Sequence, residues 1–350
     1  MRILFTHELF PPDVAGGGEK LVLRLTKFLS ENGHDISVVT SGDPELKCYK
    51  EIRTMRVPVN RYLMNFASIP AIWKESKNAD IIQTSSGNTA LPAYIVAKLR
   101  RKPVSIWIHH IFGKYWRDIR GPVVGRIFEY VENFILTRNF DCYVFQNESS
   151  KKIGVEMGVP EEKIVTISPG IDHKTFIKKS KRKGYALFVG NYSMDKSTIK
   201  TKGLEYIIQA AEMLPEVEFL LLGNFKEKIE HPMNVKLLKP VKHDKLIELY
   251  SEAGVLVCSS LNEGFSLVLL EAMTSGCPIV STIDIGQIGK LIRPKDAEAI
   301  AKWVNYYLTH PKAANKDGLS NSTLSKKYTW ENFYKKFQKL YKDLNNHQIK

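Results

Sequence analysis

AGVLVCSSLNEGFSLVLLEAMTSGCPIVS, residues 253–281, decides the reading of this chain. Val255, Leu256 and Val257 form a continuous apolar run, the pattern of a strand covered on both faces. A loop over 260–265 follows. The apolar segment 266–275 then predicts a helix, with Ser266 as its cap. Gly276 and Pro278 end that helix, and Ile279 and Val280 open the next strand. The stretch is one strand–loop–helix–strand unit of a parallel sheet. Two carboxylates mark it. Glu263 lies in the loop beyond the carboxyl end of the strand, where ligands bind in open α/β sheets. Glu271 lies about five residues into the helix, roughly 7 Å along its axis. Amides at the helix start suit a diphosphate, and the carboxylates suit the hydroxyls of what hangs off each end of it. A glutamate pair at a spacing is more often simply solvated. Glu271 argues otherwise, because it interrupts the apolar run Leu269-Leu270-Glu271-Ala272-Met273, and a carboxylate on a buried helix needs a partner.

The chain has 350 residues, enough for two domains with large cores. Its 43% of hydrophobic residues excludes a disordered chain. Cys48, Cys142, Cys258 and Cys277 form no CxxC pair and read as small core residues in a reducing compartment. The opening Met1-Arg2-Ile3-Leu4-Phe5 is a first strand, too short for a signal peptide. No apolar run reaches the ~18 residues of a membrane span. The expectation is therefore a cytoplasmic protein. Net charge is +14, from 51 basic and 37 acidic residues, which suits a membrane surface, nucleic acid or a phosphorylated substrate. No basic helix with interleaved aromatics, RNA-binding signature or zinc spacing occurs, so nucleic acid is not expected as a partner.

From the amino terminus, a strand over 2–6 leads through HELFPPDVAGGGEK into a helix over 19–32 and a strand over 36–40. Further strands are expected at 79–84, 103–108, 141–145 and 164–167, with helices at 88–99 and 149–157. The strand over 103–108 ends in His109-His110, a position suited to chemistry. The segment 112–140 carries Tyr115, Trp116, Arg117, Arg120, Arg126, Phe128, Phe134 and Arg138, broken by Gly121-Pro122. It reads equally as an interfacial helix or as a core helix with a solvated basic face. After the charged run KKSKRK, residues 178–183, the pattern restarts. Strands are expected at 185–189, 217–222 and 235–238, and helices at 203–214, 243–252, 296–309 and 330–344.

The stretch NEGFSLVLLEAMTSGCPIV resembles the Glu-x7-Glu signature of retaining, nucleotide-sugar-dependent glycosyltransferases of family 4, which have the GT-B fold. PP…GG.E…L…L…GH.I.VVT resembles the family's amino-terminal motif, and SPGIDHKTF, residues 168–176, its crossing between domains. The resemblance implies two Rossmann-like α/β domains with parallel sheets facing a cleft. Residues 1–176 form the acceptor-side domain, 177–329 the nucleotide-sugar domain, and the helix 330–350 returns to the first. It implies that Glu263 lies by the donor sugar, that Glu271 binds the ribose, and that Gly264, Phe265 and Ser266 line the donor. Gly16 and Gly17 approach the donor closely, and His109, with His110 as second choice, contacts the sugar. Lys202-Gly203 keeps the family's Lys-Gly, and Lys202 neutralises the leaving diphosphate. Asn191 stands where the family has Arg, and the lengthened loop after it offers Lys196 and Lys200 as substitutes.

The resemblance further implies sugar transfer from a UDP- or GDP-sugar to a glycan or lipid-linked acceptor, without a cofactor and without a metal, since no DxD motif occurs. The alternatives are a nucleotide-sugar epimerase on the same fold and a non-catalytic protein binding sugar nucleotides or a membrane surface. The basic surplus, the KKSKRK run and the segment 115–138 point to an anionic membrane surface as a further partner.

Overall fold

The computed structural model describes residues 1–13, 16–176, 182–190, 194–226 and 228–346. In chain order the strands are Arg2–Thr6 (β1), Asp35–Ser41 (β2), Cys48–Tyr49 (β3), Ile52–Val57 (β4), Ile81–Ser85 (β5), Val104–Trp107 (β6), Cys142–Phe145 (β7) and Ile164–Thr166 (β8). They continue with Tyr185–Val189 (β9), Glu218–Leu222 (β10), Val235–Leu238 (β11), Val255–Cys258 (β12), Ile279–Ser281 (β13) and Lys290–Leu291 (β14). The helices are Gly17–Glu31 (α1), Met64–Ala67 (α2), Ile69–Glu75 (α3), Ala90–Arg100 (α4), Trp116–Arg120 (α5), Pro122–Leu136 (α6) and Glu148–Glu156 (α7). After them come Lys196–Thr201 (α8), Leu204–Glu212 (α9), His243–Glu252 (α10), Leu267–Thr274 (α11), Ala297–Thr309 (α12), Pro311–Ser325 (α13) and Trp330–Asn345 (α14).

Two compact units result. The first holds Met1–Ile111, Tyr130–Pro169 and the segment from Glu331; the second holds Phe112–Glu129 and Gly170–Trp330. Residues 112–129 thus group with the second unit, whereas a division at Phe176 puts them in the first. The first unit's sheet runs β3-β4-β2-β1-β5-β6-β7-β8, parallel except for the β3–β4 pair. The second unit's sheet runs β11-β10-β9-β12-β13-β14, parallel throughout. This is the α/β architecture expected from the sequence. Strand order reverses between β1 and β5 in one sheet and between β9 and β12 in the other. Those are the switch points at whose carboxyl ends a crevice opens.

Strands β9 and β12 are buried along their whole length, as continuous apolar runs covered on both faces should be. Helix α14 packs on the first unit. Its Phe333, Phe337, Leu340, Tyr341 and Leu344 are all buried. Phe333 and Phe337 lie against Trp107, Tyr341 against Phe5, and the Tyr341 hydroxyl donates to Gln83 Oε1 at 3.2 Å.

The cysteines divide. Cys142, Cys258 and Cys277 are buried as expected, while Cys48 on the short edge strand β3 is exposed. Among the described residues no helix is long and apolar enough to cross a membrane.

Candidate functional site

In the second unit the chain leaves β9 and β12 beside one another. Lys202 and Glu263, reached from those two strands, meet there: Lys202 Nζ lies 2.6 Å from Glu263 Oε1, and each side chain is only 15% exposed. Local backbone chemistry brings them together. Gly203 has φ of +61°, and a Cβ on it would stand 2.2 Å from the Ser259 carbonyl oxygen. Only glycine lets the Lys202-Gly203 turn sit on the end of β12. The turn is fastened by the Ser259 hydroxyl, 2.8 Å from the Lys202 carbonyl, and by Leu261 N–H donating to the Thr201 carbonyl at 2.8 Å.

Glu263 also accepts from the Ser260 hydroxyl at 2.5 Å, and Ser266 hydrogen-bonds to it as well. Burial is the largest influence on both partners and opposes the charge of each. The ion pair and the hydroxyl donors outweigh it. The Glu263 carboxyl is held below the ordinary range, and Lys202, beside the Glu263 and Cys258 side chains, is raised. The pair is therefore charged at neutral pH.

Ser266 caps α11 as its sequence position predicts, accepting from Leu269 N–H at 3.4 Å. The first intrahelical bond runs from Leu270 N–H to the Ser266 carbonyl, so the N–H groups of Leu267 and Val268 precede it. Glu271 has the partner its apolar surroundings require. The hydroxyl of Tyr250, a fully buried residue on α10, donates to Oε2 at 2.7 Å. Gly264 is buried in the same loop, and the Phe265 ring is buried edge-to-face against Tyr328. Lys196 and Lys200 do not lie in a loop. They sit on α8, which Asp195 caps by accepting from Thr198 N–H at 2.8 Å, and both are exposed. Asn191 lies outside the described residues. So do residues 178–181 of the KKSKRK run. Its last two members are not freely solvated: Arg182 donates to the carbonyls of Ala253 and Gly276, and Lys183 pairs with Glu252 at 2.6 Å.

The first unit carries a second cluster at the ends of β1, β5 and β6. The His109 N–H donates to Ser86 Oγ at 3.0 Å. Its ring lies between Gln146 Nε2, 3.0 Å from Nδ1, and Ser85 Oγ, 3.3 Å from Nε2. An amide nitrogen can only donate, so Nδ1 accepts and Nε2 carries the proton. Burial, reinforced by His7 and His110, holds His109 well below its ordinary pKa and keeps it neutral. The glycine loop lies close by: a Cβ on Gly18 would stand 3.6 Å from His109 Nδ1. Gly16 precedes α1, and its bare Cα leaves room for the Glu19 carboxylate, whose oxygen a Cβ would meet at 2.4 Å. Gly17 opens α1 and is exposed. His7 and Glu8 complete the cluster and were missed from the sequence. Glu8 accepts from Asn88 Nδ2 at 2.6 Å and lies 3.6 Å from Arg61 Nη1. Both follow β1 directly, the same strand-end position that singled out His109.

The family model described as Glycosyltransferase Family 4 matches residues 15–175, and that described as Glycosyl transferases group 1 matches residues 183–310. The chain belongs to the family 4 glycosyltransferases. The N-acetyl-alpha-D-glucosaminyl L-malate synthase of Bacillus anthracis is 26% identical to this glycosyltransferase over 81% of the chain and 80% of its own length. The UDP-Gal:alpha-D-GlcNAc-diphosphoundecaprenol alpha-1,3-galactosyltransferase of Escherichia coli is 24% identical, over 81% and 80%. HepE of Anabaena, solved in complex with UDP-glucose, superposes with a TM-score of 0.74 at 16% identity, over 98% of this chain and 100% of its own. That likeness speaks to the fold, which is GT-B. Among the described residues of the glycosyltransferase, no group of His, Cys, Asp and Glu is arranged to hold a metal ion.

Proposed function

We propose that this glycosyltransferase moves a sugar from a UDP- or GDP-sugar, with retention of anomeric configuration, to a glycan or lipid-linked acceptor. The observation that carries the reading is the largely buried Lys202–Glu263 pair at the sheet's switch point, beside the amino end of α11. Breaking the bond between the anomeric carbon and the diphosphate puts negative charge on the leaving oxygen. Lys202, fixed and protonated, and the amides of Leu267 and Val268 oppose that charge with little reorganisation. As the diphosphate draws Lys202 to itself, Glu263 is released to accept hydrogen bonds from the sugar hydroxyls. Glu271, steadied by Tyr250, accepts from the ribose. The new bond forms on the face the leaving group vacates, and the acceptor's hydroxyl proton passes to the departing phosphate. No protein base and no metal take part. His109, Gly16 and Gly17 belong to the same reading as donor-contacting residues, with the neutral His109 as a hydrogen-bonding group. Gly264, Phe265 and Ser266 shape the loop that carries Glu263.

Two similar proteins support the donor and acceptor classes, one a UDP-Gal transferase acting on a diphosphoundecaprenol-linked sugar and the other HepE, solved with UDP-glucose. A thermal-shift screen of UDP-, GDP- and ADP-sugars tests the reading. A ligand at 100 times its Kd stabilises the folded state by about 2.7 kcal/mol. A rise in Tm with one nucleotide class, lost in Glu271→Ala, supports it; no shift with any of them contradicts it. Transfer is expected to persist in EDTA. Activity abolished by the chelator and restored by Mg²⁺ or Mn²⁺ would overturn the metal-free mechanism.

A further inference from the structure

Gly121, at φ of +86°, separates α5 from α6, and the two helices fold back on one another. They pack closely: a Cβ on Gly125 would stand 2.4 Å from Arg117 Cα. Trp116 lies between Phe112 and Phe128, with ring centroids 4.8 and 5.0 Å away. Asp118 pairs with Lys295 and Arg117 with Glu129, each at 2.7 Å. The inward side of α6 is thereby accounted for by Gly125, Ile135 and Leu136, all buried.

The opposite side is not. Val123, Val124, Ile127, Tyr130, Val131 and Phe134 are all exposed, Val123 and Tyr130 by 72%. Their spacing places them on one arc of the helix. An apolar stripe of this length on a folded helix marks an interaction surface. Its edges are basic. Arg126 is exposed and makes no ion pair among the described residues, and the Arg138 guanidinium lies 3.9 Å over the Phe134 ring. The two acids nearest the fold-back, Asp118 and Glu129, are already neutralised by their partners.

We propose that this face of α6 docks into an anionic lipid surface, with the stripe among the acyl chains and the arginines at the headgroups. Charge selects this occupant over a second copy. Every copy carries +14, so pairing two such faces sets like charges against each other, whereas an anionic surface attracts both. An aliphatic and aromatic stripe flanked by arginine is the composition of a helix lying in an interface. The inference deepens the lipid-linked reading of the acceptor, because it gives the acceptor's membrane a specific place to meet the enzyme.

The test is co-sedimentation of the full chain with vesicles of phosphatidylcholine containing rising fractions of phosphatidylglycerol, for the wild type and for Ile127→Ser/Tyr130→Ser. The melting temperature and the UDP-induced thermal shift are followed for both, so that loss of fold or of the donor site is seen separately. The expected result is wild-type binding that grows with phosphatidylglycerol and falls at least about tenfold in the double variant, with melting and UDP response unchanged. Arg126→Gln should weaken binding only on the charged vesicles. Equal vesicle binding by wild type and double variant would overturn the proposal. So would absence of vesicle binding together with a wild-type dimer, seen by sedimentation velocity, that the same substitutions dissociate.

Discussion

A lysine and a glutamate held 2.6 Å apart, each only 15% exposed, are costly to separate singly. Removing either leaves the other as an uncompensated charge at the end of β12. Glu263→Ala is expected to lower turnover by on the order of 10²-fold while leaving nucleotide affinity within a few-fold. Glu271→Ala should instead weaken nucleotide binding, by calorimetry, and leave Tyr250 with a buried unpaired hydroxyl. Equal, near-wild-type transfer in both would remove the two carboxylates from the site. At the other cluster, His7 is 5% exposed, and its pKa is lowered from 6.5 to about 4, chiefly by burial and partly offset by Glu8. The unfolded chain binds a proton to this ring below pH 6.5 that the folded chain refuses until about pH 4. Stability from this source is full above pH 6.5 and is lost as pH falls towards 4, by at most about 3 kcal/mol. Denaturant midpoints followed from pH 7 to 4 should fall less steeply in His7→Asn than in the wild type. Parallel curves would mean that His7 titrates the same folded and unfolded.

Elements differ in how plainly the sequence announces them. The unit around β12 and α11 is legible because its cues agree: a continuous apolar strand, a serine cap, and a Gly-x-Pro stop. Glu271 was legible as a carboxylate on a buried helix that needs a partner, yet Tyr250, that partner 21 positions earlier on α10, was not. Pairings across a fold leave no local pattern. Helix α13 escaped for a different reason. Its buried positions are Ala314, Gly318, Asn321 and Ser325, helically spaced but small or polar, so no apolar period shows. Gly318 is there because a Cβ would meet the Gly276 carbonyl at 2.0 Å. Strand β4 was hidden by Arg56, a buried arginine held by Asp13 at 2.6 Å and by the Phe10 and Pro11 carbonyls. Helix α8 was hidden inside what read as a lengthened loop. The turn after it supplies the sharpest test at this scale. Gly203→Ala combines a positive φ with a backbone clash at Ser259, and should destabilise the second unit by about 2 kcal/mol or more. Because the turn carries Lys202, transfer should fall with stability. A variant as stable and active as the wild type would show that the turn relaxes freely.

Across the whole molecule, two sheets, parallel but for the β3–β4 pair, repeat one arrangement. In each, a switch point next to a central strand gathers polar side chains, around His7, His109 and Glu8 in one unit and around Lys202 and Glu263 in the other. The repeat was readable because the sequence restarts its strand–helix alternation after residue 183. The grouping of residues 112–129 was not readable, since that stretch joins its unit through side-chain contacts such as Lys295 with Asp118. Nor was the apolar stripe on α6 evident: the arginines and aromatics of that segment stand out in the sequence, while its exposed valines and isoleucine look like core. In the proposed mechanism the Lys202–Glu263 centre transfers a sugar out of a nucleotide donor. The most direct measurement is release of nucleoside diphosphate from UDP- and GDP-sugars in the presence of lipid-linked glycan acceptors, by the wild type, Lys202→Ala and Glu263→Ala. The wild type should release nucleoside diphosphate from at least one donor, in an acceptor-dependent way, and both variants should lower that release on the order of 10²-fold or more. Release unchanged in either variant would contradict this mechanism.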